Sequence, residues 1–215
     1  MKKSILFIIA ASMCSSFSWA EAYEDHSNPN LQLCKDFKAY LERNVDKPLQ
    51  CGLVADEKFK GFRLPKLQPA PEGLGLRINV QARMVISDSY QKHLDEAIRL
   101  EKGKRYRITR LDFNNDGNTE SVLVEDYPDK CLQAPRYYAA YSSYVYDEKH
   151  LNIDSSFISS HKSYANQSGE PFFYDGRVYS AMITKTNVYI YEPRGFRENK
   201  FVSTRSICSY KKMEN

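Results

Sequence analysis

The chain has 215 residues, and its 31 Lys and Arg residues nearly balance 27 Asp and Glu residues, for a formal net charge of +4. A net charge this small gives no electrostatic basis for binding nucleic acid or a strongly anionic surface, so we expect no nucleic-acid partner. The length suits one domain, with room for a small appendage.

The first 20 residues have the pattern of a secretory signal. Lys2 and Lys3 form a basic start, residues 5–11 form a short apolar core, and Ser18 and Ala20 are small residues at the recognition positions before a cut. The apolar run is too short to span a bilayer. Cleavage after Ala20 would leave 195 residues with a formal charge of +2. We predict a soluble protein, exported to the periplasm or secreted, without a transmembrane segment.

Residues 21–61 are predicted to form a helical N-terminal unit, after a frayed terminus at residues 21–27. Asn28 and Pro29 have the pattern of a helix cap followed by proline in the first turn. Apolar residues then recur at helical spacing across residues 29–45, which indicates an amphipathic helix. Its predicted apolar face contains Leu33, Phe37, Tyr40, Leu41 and Val45.

Residues 62–75 contain three prolines and two glycines, which predicts a connector without regular structure. A strap packed on the surface is the alternative, because Phe62, Leu64, Leu67 and Leu74 are apolar. The main domain would span residues 76–215. It would begin with residues 76–86 as a short strand or an extended lead-in. A second amphipathic helix at residues 88–102, capped by Ser87 or Asp88, would follow and stop before Gly103.

The strongest chemical signal lies at residues 106–125, which have the pattern of two strands joined by a loop rich in oxygen-bearing side chains. Loop positions one, three, five and nine are filled by Asp112, Asn114, Asp116 and Glu120. Side chains at alternate positions of a tightly curling loop converge, and Gly117 at position six permits the sharp turn. Because calcium takes about six to eight oxygen ligands, this spacing predicts a calcium site in which Asn118 supplies its main-chain carbonyl.

The loop resembles the strand-flanked calcium loops of FG-GAP and VCBS-type repeats, in which D-x-[DN]-x-D-G-x-x-[DE] closes a hairpin. The resemblance covers residues 112–120 alone, and it implies that the side chains at the same four positions hold a structural calcium ion. Position twelve is Leu123, whereas helix-loop-helix calcium loops have a bidentate Glu there. No second copy of the loop occurs, so a complete propeller is not implied. An ordinary hairpin turn is the alternative, since Asn, Asp and Gly tolerate positive φ.

From residue 136 onward the chain is rich in β-branched and aromatic residues, and short turns separate the runs. This pattern predicts an antiparallel meander that resembles a propeller blade at most in part. The predicted strands are residues 137–146, 151–158, 171–184, 187–192 and 201–210, with a hairpin turn at residues 174–177. Tyr138, Tyr144 and Tyr146 share one strand face and form a possible ligand face, because exposed aromatic rings stack on sugars and dominate protein interfaces. The alternative is that these tyrosines fill a half-buried sheet face.

Four cysteines follow the predicted signal, and an even count in an exported chain predicts two disulfides. Three pairings are possible. We favour Cys34–Cys51, which closes a short local loop, together with Cys131–Cys208. A metal site or a catalytic thiol is disfavoured, because the chain lacks C-x-x-C spacing with a matched histidine.

These patterns together predict an α+β fold with two N-terminal amphipathic helices followed by a twisted antiparallel β-meander. The sequence contains no G-x-S-x-G, H-E-x-x-H, phosphate-binding or dinucleotide-binding motif. We therefore favour a monomeric, non-enzymatic binding or envelope-associated protein with structural Ca2+ and an unidentified protein or glycan partner. The alternatives are an exported hydrolase that uses a carboxylate pair and a secreted enzyme inhibitor.

Overall fold

The computed structural model describes residues 22–27, 30–84, 94–95, 98, 103–128, 131, 141–153, 167–192 and 206–213. These residues form mainly antiparallel β-sheet with two short helices. Among them, no helix has the length and hydropathy that a membrane span requires. The predicted signal sequence and the predicted Asn28–Pro29 cap lie outside the described residues.

The strands form two antiparallel sheets. In chain order they are β1 (Tyr23–Asp25), β2 (Phe62–Arg63), β3 (Gln68–Pro69), β4 (Arg105–Leu111), β5 (Glu120–Asp126), β6 (Tyr141–Asp147), β7 (Asn152–Ile153), β8 (Gln167–Ser168), β9 (Glu170–Tyr174), β10 (Arg177–Ile183), β11 (Asn187–Tyr191) and β12 (Cys208–Lys212). Sheet A has the strand order β1-β12-β11-β10-β9-β2. Sheet B has the order β3-β4-β5-β6-β7, and β8 also pairs with β6. The predicted antiparallel meander is therefore found in sheet A as β9 to β12, while the loop hairpin belongs to the other sheet.

The hairpin between β9 and β10 was predicted at the correct residues. Asp175 and Gly176 both have positive φ, at 46° and 80°, and two such residues are what the favoured two-residue hairpin turn requires. At the other edge of the sheet, β1 pairs with β12. The predicted frayed terminus is thus wrong for residues 23–25, because Tyr23 is buried and joins the core.

Helix α1 (Gln32–Arg43) lies within the predicted helix and packs on sheet A. Phe37 is fully buried at its centre, with its ring 5.4 Å from that of Phe172 and 6.2 Å from that of Tyr210. Complete burial of such a side chain contributes about 1.5–3 kcal/mol. Val45 lies beyond the helix and is 40% exposed, so its predicted place on the apolar face is wrong.

Helix α2 (Leu74–Met84) occupies most of the segment predicted as a short strand or an extended lead-in at residues 76–86, so that prediction is wrong. Leu74 and Ile78, one helical turn apart, are buried against sheet B. Gly75 permits the close contact, because a Cβ at that position would lie 2.2 Å from the Tyr106 ring. The apolar residues of this segment fit both the period of a strand and the period of a helix. Packing on sheet B selects the helix.

The prediction of two N-terminal amphipathic helices is therefore not confirmed. Helix α1 lies where a helix was expected, whereas the second predicted helix, residues 88–102, falls mostly outside the described residues. Of that segment, residues 94, 95 and 98 are helical. Ile98, assigned to its apolar face, is 54% exposed.

The chain is arranged as four layers with a hydrophobic core between each neighbouring pair. The first core joins α1 to sheet A, the second joins sheet A to sheet B, and the third joins sheet B to α2. Strand β5 is central, because its alternate residues enter different cores. Val122 and Val124 belong to the second core, and Leu123 belongs to the third.

The predicted connector at residues 62–75 contains regular structure, since β2 pairs with β9 of sheet A and β3 pairs with β4 of sheet B. The strap alternative fits better, because the segment contacts all three cores through Phe62, Leu64, Leu67 and Leu74. The predicted domain boundaries stay predictions, although the first core contains residues from both sides of residue 61.

Two disulfides are present, as the even cysteine count predicted, but the favoured pairing is wrong. Cys34 bonds Cys208 and Cys51 bonds Cys131, with Cα–Cα distances of 5.4 Å and 5.0 Å. Cys34 on α1 faces β12 across the first core, whereas Cys51 contacts the second core, to which Cys131 belongs. Layer packing rather than closeness in sequence therefore decides the partners.

Candidate functional site

The predicted calcium loop is the connection between β4 and β5, and the two strands meet it in register, with Leu111 opposite Glu120. This confirms the predicted hairpin. Asn115 and Gly117 have positive φ, at 58° and 96°, a backbone conformation that asparagine and glycine tolerate best. The chain can therefore curl tightly between the two strands.

The carboxylates of the loop accept hydrogen bonds from its own main chain. Asp112 Oδ1 accepts from Asp116 N and Asp112 Oδ2 accepts from Gly117 N, both at 2.9 Å. Asp116 Oδ1 accepts from Asn118 N at 2.9 Å, and Asn114 Oδ1 accepts from Asp116 N at 3.1 Å. These bonds fix the turn of the loop.

Glu120 closes the loop by accepting a hydrogen bond from Phe113 N at 2.7 Å. The pKa of Glu120 is raised, mainly because partial burial penalises the charged carboxylate. The hydrogen bond from Phe113 N–H opposes this effect, whereas the negative charges of Asp116 and Asp112 raise the pKa further. The three carboxylates are therefore close enough to interact electrostatically.

Two residues of the loop, Phe113 and Asn115, anchor it to sheet A. Phe113 is buried in the second core. The side-chain amide of Asn115 bonds the main chain of Val178 twice, donating to its carbonyl at 2.9 Å and accepting from its N–H at 2.7 Å. The loop is thus tied to β10 of sheet A as well as to β4 and β5 of sheet B.

The donor set fits a hard cation in chemical type, because carboxylate, amide and carbonyl oxygens are the ligands that calcium prefers. The arrangement of the carboxylates is a different matter. In the described part of the chain, no three His, Cys, Asp or Glu side chains are placed together so as to hold a metal ion. Both oxygens of Asp112 face main-chain N–H groups, so ion binding would require the loop to readjust.

The possible ligand face of tyrosines is not available in the described structure. Tyr144 and Tyr146 are 4% and 5% exposed and pack in the third core with Leu74 and Ile78 of α2. Tyr138 lies outside the described residues. The alternative, that these tyrosines fill a sheet face, is therefore correct for Tyr144 and Tyr146.

A second polar centre, which the sequence reasoning missed, lies between the sheets. Asp126 is 1% exposed. It accepts hydrogen bonds from Arg105 Nε at 3.0 Å and Arg105 Nη2 at 2.9 Å, and it also pairs with Arg107. The sequence does show charged residues in β4 and β5 that could have indicated this centre. Only the register of the two strands, which places Arg105 opposite Asp126, shows that these charges pair.

Glu170 belongs to the same polar centre and begins β9. It is 8% exposed and accepts a hydrogen bond from Leu53 N at 2.5 Å. Burial raises the pKa of Glu170 to about 7, and the negative charge of Asp126 acts in the same direction. The hydrogen bond from Leu53 N–H and the positive charges of Arg107 and Arg105 oppose this rise. This carboxyl group is therefore able to exchange a proton near neutral pH.

A third polar group lies beneath α2. Lys104 Nζ lies 2.8 Å from Glu125 Oε1, and Asn79 Nδ2 donates to Glu125 Oε2 at 2.6 Å. Both charged side chains are at most 5% exposed. The group faces the third core, so it joins α2 to β5 rather than lining a surface.

No family model, curated protein or solved structure matches this chain. Function is therefore inferred from the contacts and charges of the described residues.

Proposed function

We propose that this protein is an exported, non-enzymatic binding protein whose 112–120 loop takes up calcium. The ion would be held by oxygens of Asp112, Asn114, Asp116 and Glu120 and by the carbonyl of Asn118. A bound cation would supply positive charge to offset that of the three loop carboxylates. The observation that carries the proposal is the hairpin itself, a curled loop on which Asp112 and Glu120 accept hydrogen bonds from loop main-chain N–H groups and to which Asn114 and Asp116 also belong.

The protein's own residues determine what such binding would do. Asn115 holds the loop to β10 through its two bonds to Val178, and Phe113 holds it to the core between the sheets. Neutralising the loop carboxylates would lower the cost of keeping the β4–β5 hairpin curled. Calcium would thereby stabilise the contact between the two sheets, which gives the ion a structural role.

Export supports the choice of ion and the class of protein. The two disulfides are typical of oxidising compartments, and the first 20 residues have the signal pattern described above. Calcium-binding loops of exported modules commonly bind the ion weakly, with dissociation constants of about 0.1–1 mM. A site in this range would be saturated only where calcium is abundant, as it is outside the cytosol.

The test is the response of the full, disulfide-bonded chain to calcium. We expect millimolar calcium to raise the melting temperature of the metal-free protein and to give a saturable calorimetric signal. At about ten times the dissociation constant, the gain in unfolding free energy would be about 1.4 kcal/mol. Magnesium should be less effective, because it prefers a smaller octahedral site and gives up its water reluctantly.

The variant Asp112→Asn should lose most of this response. Asp46→Asn is the matched control, because Asp46 is an exposed aspartate outside the loop, and it should keep the parent response. If millimolar calcium changes neither the melting temperature nor the heat signal of the parent, the loop is an ordinary hairpin turn.

The hydrolase alternative is less well supported. A glycosidase-type mechanism needs two carboxyl groups that face one substrate. Asp126, next to Glu170, is already bonded by Arg105 and Arg107. Among the described residues, Glu170 is also the one carboxyl group that lines the cavity beside it.

A further inference from the structure

The polar group beneath α2 brings an amine, a carboxylate and a carboxamide into contact. Lys104 Nζ lies 2.8 Å from Glu125 Oε1, and Asn79 Nδ2 donates to Glu125 Oε2 at 2.6 Å. The two nitrogen atoms therefore contact the two oxygens of one carboxylate. Lys104 directly precedes β4, Glu125 lies on β5 and Asn79 lies on α2, so three separate elements of the fold position the group.

Water hardly reaches these side chains. The side chains of Lys104 and Glu125 are 1% and 5% exposed, and Asn79 is 4% exposed. Aromatic rings lie near the amine, since Lys104 Nζ is 5.3 Å from the centre of the Tyr127 ring and 6.0 Å from that of the Tyr106 ring. In such surroundings, the attraction within an ion pair often fails to offset the cost of removing both charges from water. Stabilisation alone is therefore a weak explanation of this pair.

Proton transfer within the ion pair produces a reactive amine. When Lys104 gives a proton to Glu125, both charges disappear, and the cost of holding them away from water disappears with them. The product is a neutral primary amine, which is a nucleophile. Asn79 holds an electrophilic carbon, Cγ, beside the other oxygen of the same carboxyl group. A nucleophile, a proton carrier and an electrophile thus lie together in one buried place.

We propose that Lys104 and Asn79 are joined by an isopeptide bond that forms within the folded chain, with Glu125 carrying the protons. The flexible stem of Lys104 allows Nζ to approach Asn79 Cγ. A bond forms between these two atoms, the bond from Cγ to Nδ2 breaks, and Nδ2 leaves as ammonia. Nothing is oxidised or reduced in this exchange of one amide for another, and no co-reactant is consumed.

The contacts of Glu125 account for the protons. The charged amine of Lys104 carries three protons, and the amide that it forms keeps one. Glu125 Oε1, which faces Nζ, accepts a proton from the amine, and Oε2, which faces Nδ2, delivers a proton to the departing nitrogen. The remaining proton stays on Glu125 until the ammonia takes it away as ammonium, which restores the carboxylate. Because the fold holds both reacting groups at one carboxyl group, no encounter from solution is needed.

The bond would give the third core the covalent link that the other two cores have. One disulfide joins α1 to sheet A, and the other packs in the core between the sheets. Within the described part of the chain, no disulfide joins α2 to sheet B. A bond between Lys104 and Asn79 would fasten α2 to the start of β4. It involves no residue of the 112–120 loop, so the inference does not depend on calcium.

Mass spectrometry of the full chain tests the bond. We expect the intact protein to be about 17 Da lighter than its sequence and its disulfides require, because one ammonia is lost. After reduction and digestion with trypsin, the segments that contain Asn79 and Lys104 should be found in one branched peptide. The branched peptide distinguishes this bond from a succinimide at an asparagine, which loses the same mass without joining two peptides.

Variants separate the bond from a simple ion pair. Glu125→Gln keeps the size of the side chain but cannot carry the protons, so the branched fraction should fall by about ten-fold or more. Lys104→Met removes the nucleophile and should have the full mass of its sequence. Lys66→Met and Glu148→Gln are the matched controls, since both residues are exposed, and each should lose ammonia as the parent does.

The parent protein gives the decisive result, whether or not a variant folds. The full sequence mass without a branched peptide would overturn the proposal and leave Lys104 and Glu125 as a buried ion pair. A branched peptide that joins other residues would overturn it as well. An equal branched fraction in the parent and in folded Glu125→Gln would overturn the role of Glu125. Bound calcium does not alter these covalent masses, so failure of the calcium proposal would leave them unchanged.

Discussion

In the 112–120 loop, aspartates accept hydrogen bonds from main-chain N–H groups a few residues away. In the polar centre between the sheets, Asp126 is bonded by Arg105 and Arg107 of the neighbouring strand. Glu170, from the other sheet, completes that centre. The loop acids are at least partly exposed, whereas Asp126 is 1% exposed. Both regions concentrate acids, but water reaches the acids of the loop and hardly reaches the carboxyl groups of Asp126 and Glu170.

This difference indicates that the burial of a carboxylate determines how strongly its removal changes the stability of the protein. In the loop, repulsion among three acids is partly screened by solvent, so changes there should alter stability modestly and ion binding strongly. Between the sheets, little water reaches the Asp126 carboxylate, so changes in its ion pairs should alter stability strongly. The comparison can be tested by measuring whether changes in the buried centre outweigh those in the loop.

The largest effect is expected for Asp126→Ala. Removing this carboxylate takes the ion-pair partner from the mostly buried Arg107 guanidinium, which should cost about 3–5 kcal/mol of unfolding free energy. Urea denaturation of the parent and variant measures the loss. Glu148→Ala is the control, because it breaks the exposed pair that Glu148 forms with Arg110 at 3.8 Å; its effect should be below about 1 kcal/mol. Equal losses in the two variants would contradict the comparison.

The second largest effect is expected for Glu170→Gln. The folded state holds this proton up to about pH 7, while an unfolded chain releases it near the usual glutamate pKa of 4.5. Stability should therefore fall as the pH rises from about 4.5 to about 7 and then level off.

Glutamine removes this pH dependence, so Glu170→Gln should be more stable than the parent at about pH 8, by roughly 2–3 kcal/mol. Denaturation at several pH values measures the difference. Glu57→Gln, at an exposed position, should retain the pH dependence of the parent. A Glu170→Gln profile parallel to that of the parent would show that Glu170 is ionised in the folded state.

A smaller effect is expected for Asn115→Gly, which removes the two bonds to Val178 while keeping a residue that tolerates the φ of 58°. The loss should be about 1–2 kcal/mol, the usual cost of removing partners from main-chain groups. Asn118→Ala, in the same loop, is the control; Asn118 is exposed. Thermal unfolding of both variants tests the anchor, and comparable losses would show that Asn115 does not hold the loop to β10.

The smallest effect on stability is expected for Glu120→Gln. Because its carboxyl pKa is raised in the folded state, ionisation of Glu120 lowers stability as the pH rises above the usual glutamate value. The amide should therefore stabilise the metal-free protein at neutral pH by less than about 1 kcal/mol, since solvent screens this half-exposed group.

The same Glu120→Gln variant should lose most of the calcium-dependent rise in melting temperature. Glu72→Gln, at an exposed position before α2, should alter neither property. A Glu120→Gln variant that is destabilised without metal would show that the repulsion among the loop acids has no consequence for stability.

Local chemistry explains which parts of the fold and the site were predictable. The hairpins at residues 112–120 and 175–176 follow from Asn, Asp and Gly at positions of positive φ, and such turns depend on a few adjacent residues. Helix α1 follows from apolar residues at helical spacing over three turns. The 76–86 segment was assigned the wrong structure, because its short apolar pattern fits both periods until α2 packs on Tyr106 and Leu123.

The sequence by itself determined the turns, the helix α1, the approximate positions of most strands, and the presence of four cysteines for two disulfides. Only the tertiary structure decided that Cys34 bonds Cys208, that Tyr144 and Tyr146 lie beneath α2, and that Glu170 joins Arg107 at one cavity. The physical reason is distance along the chain. Turns and helices depend on neighbours a few residues away, whereas the burial of a charge or a ring depends on which layer is packed against it.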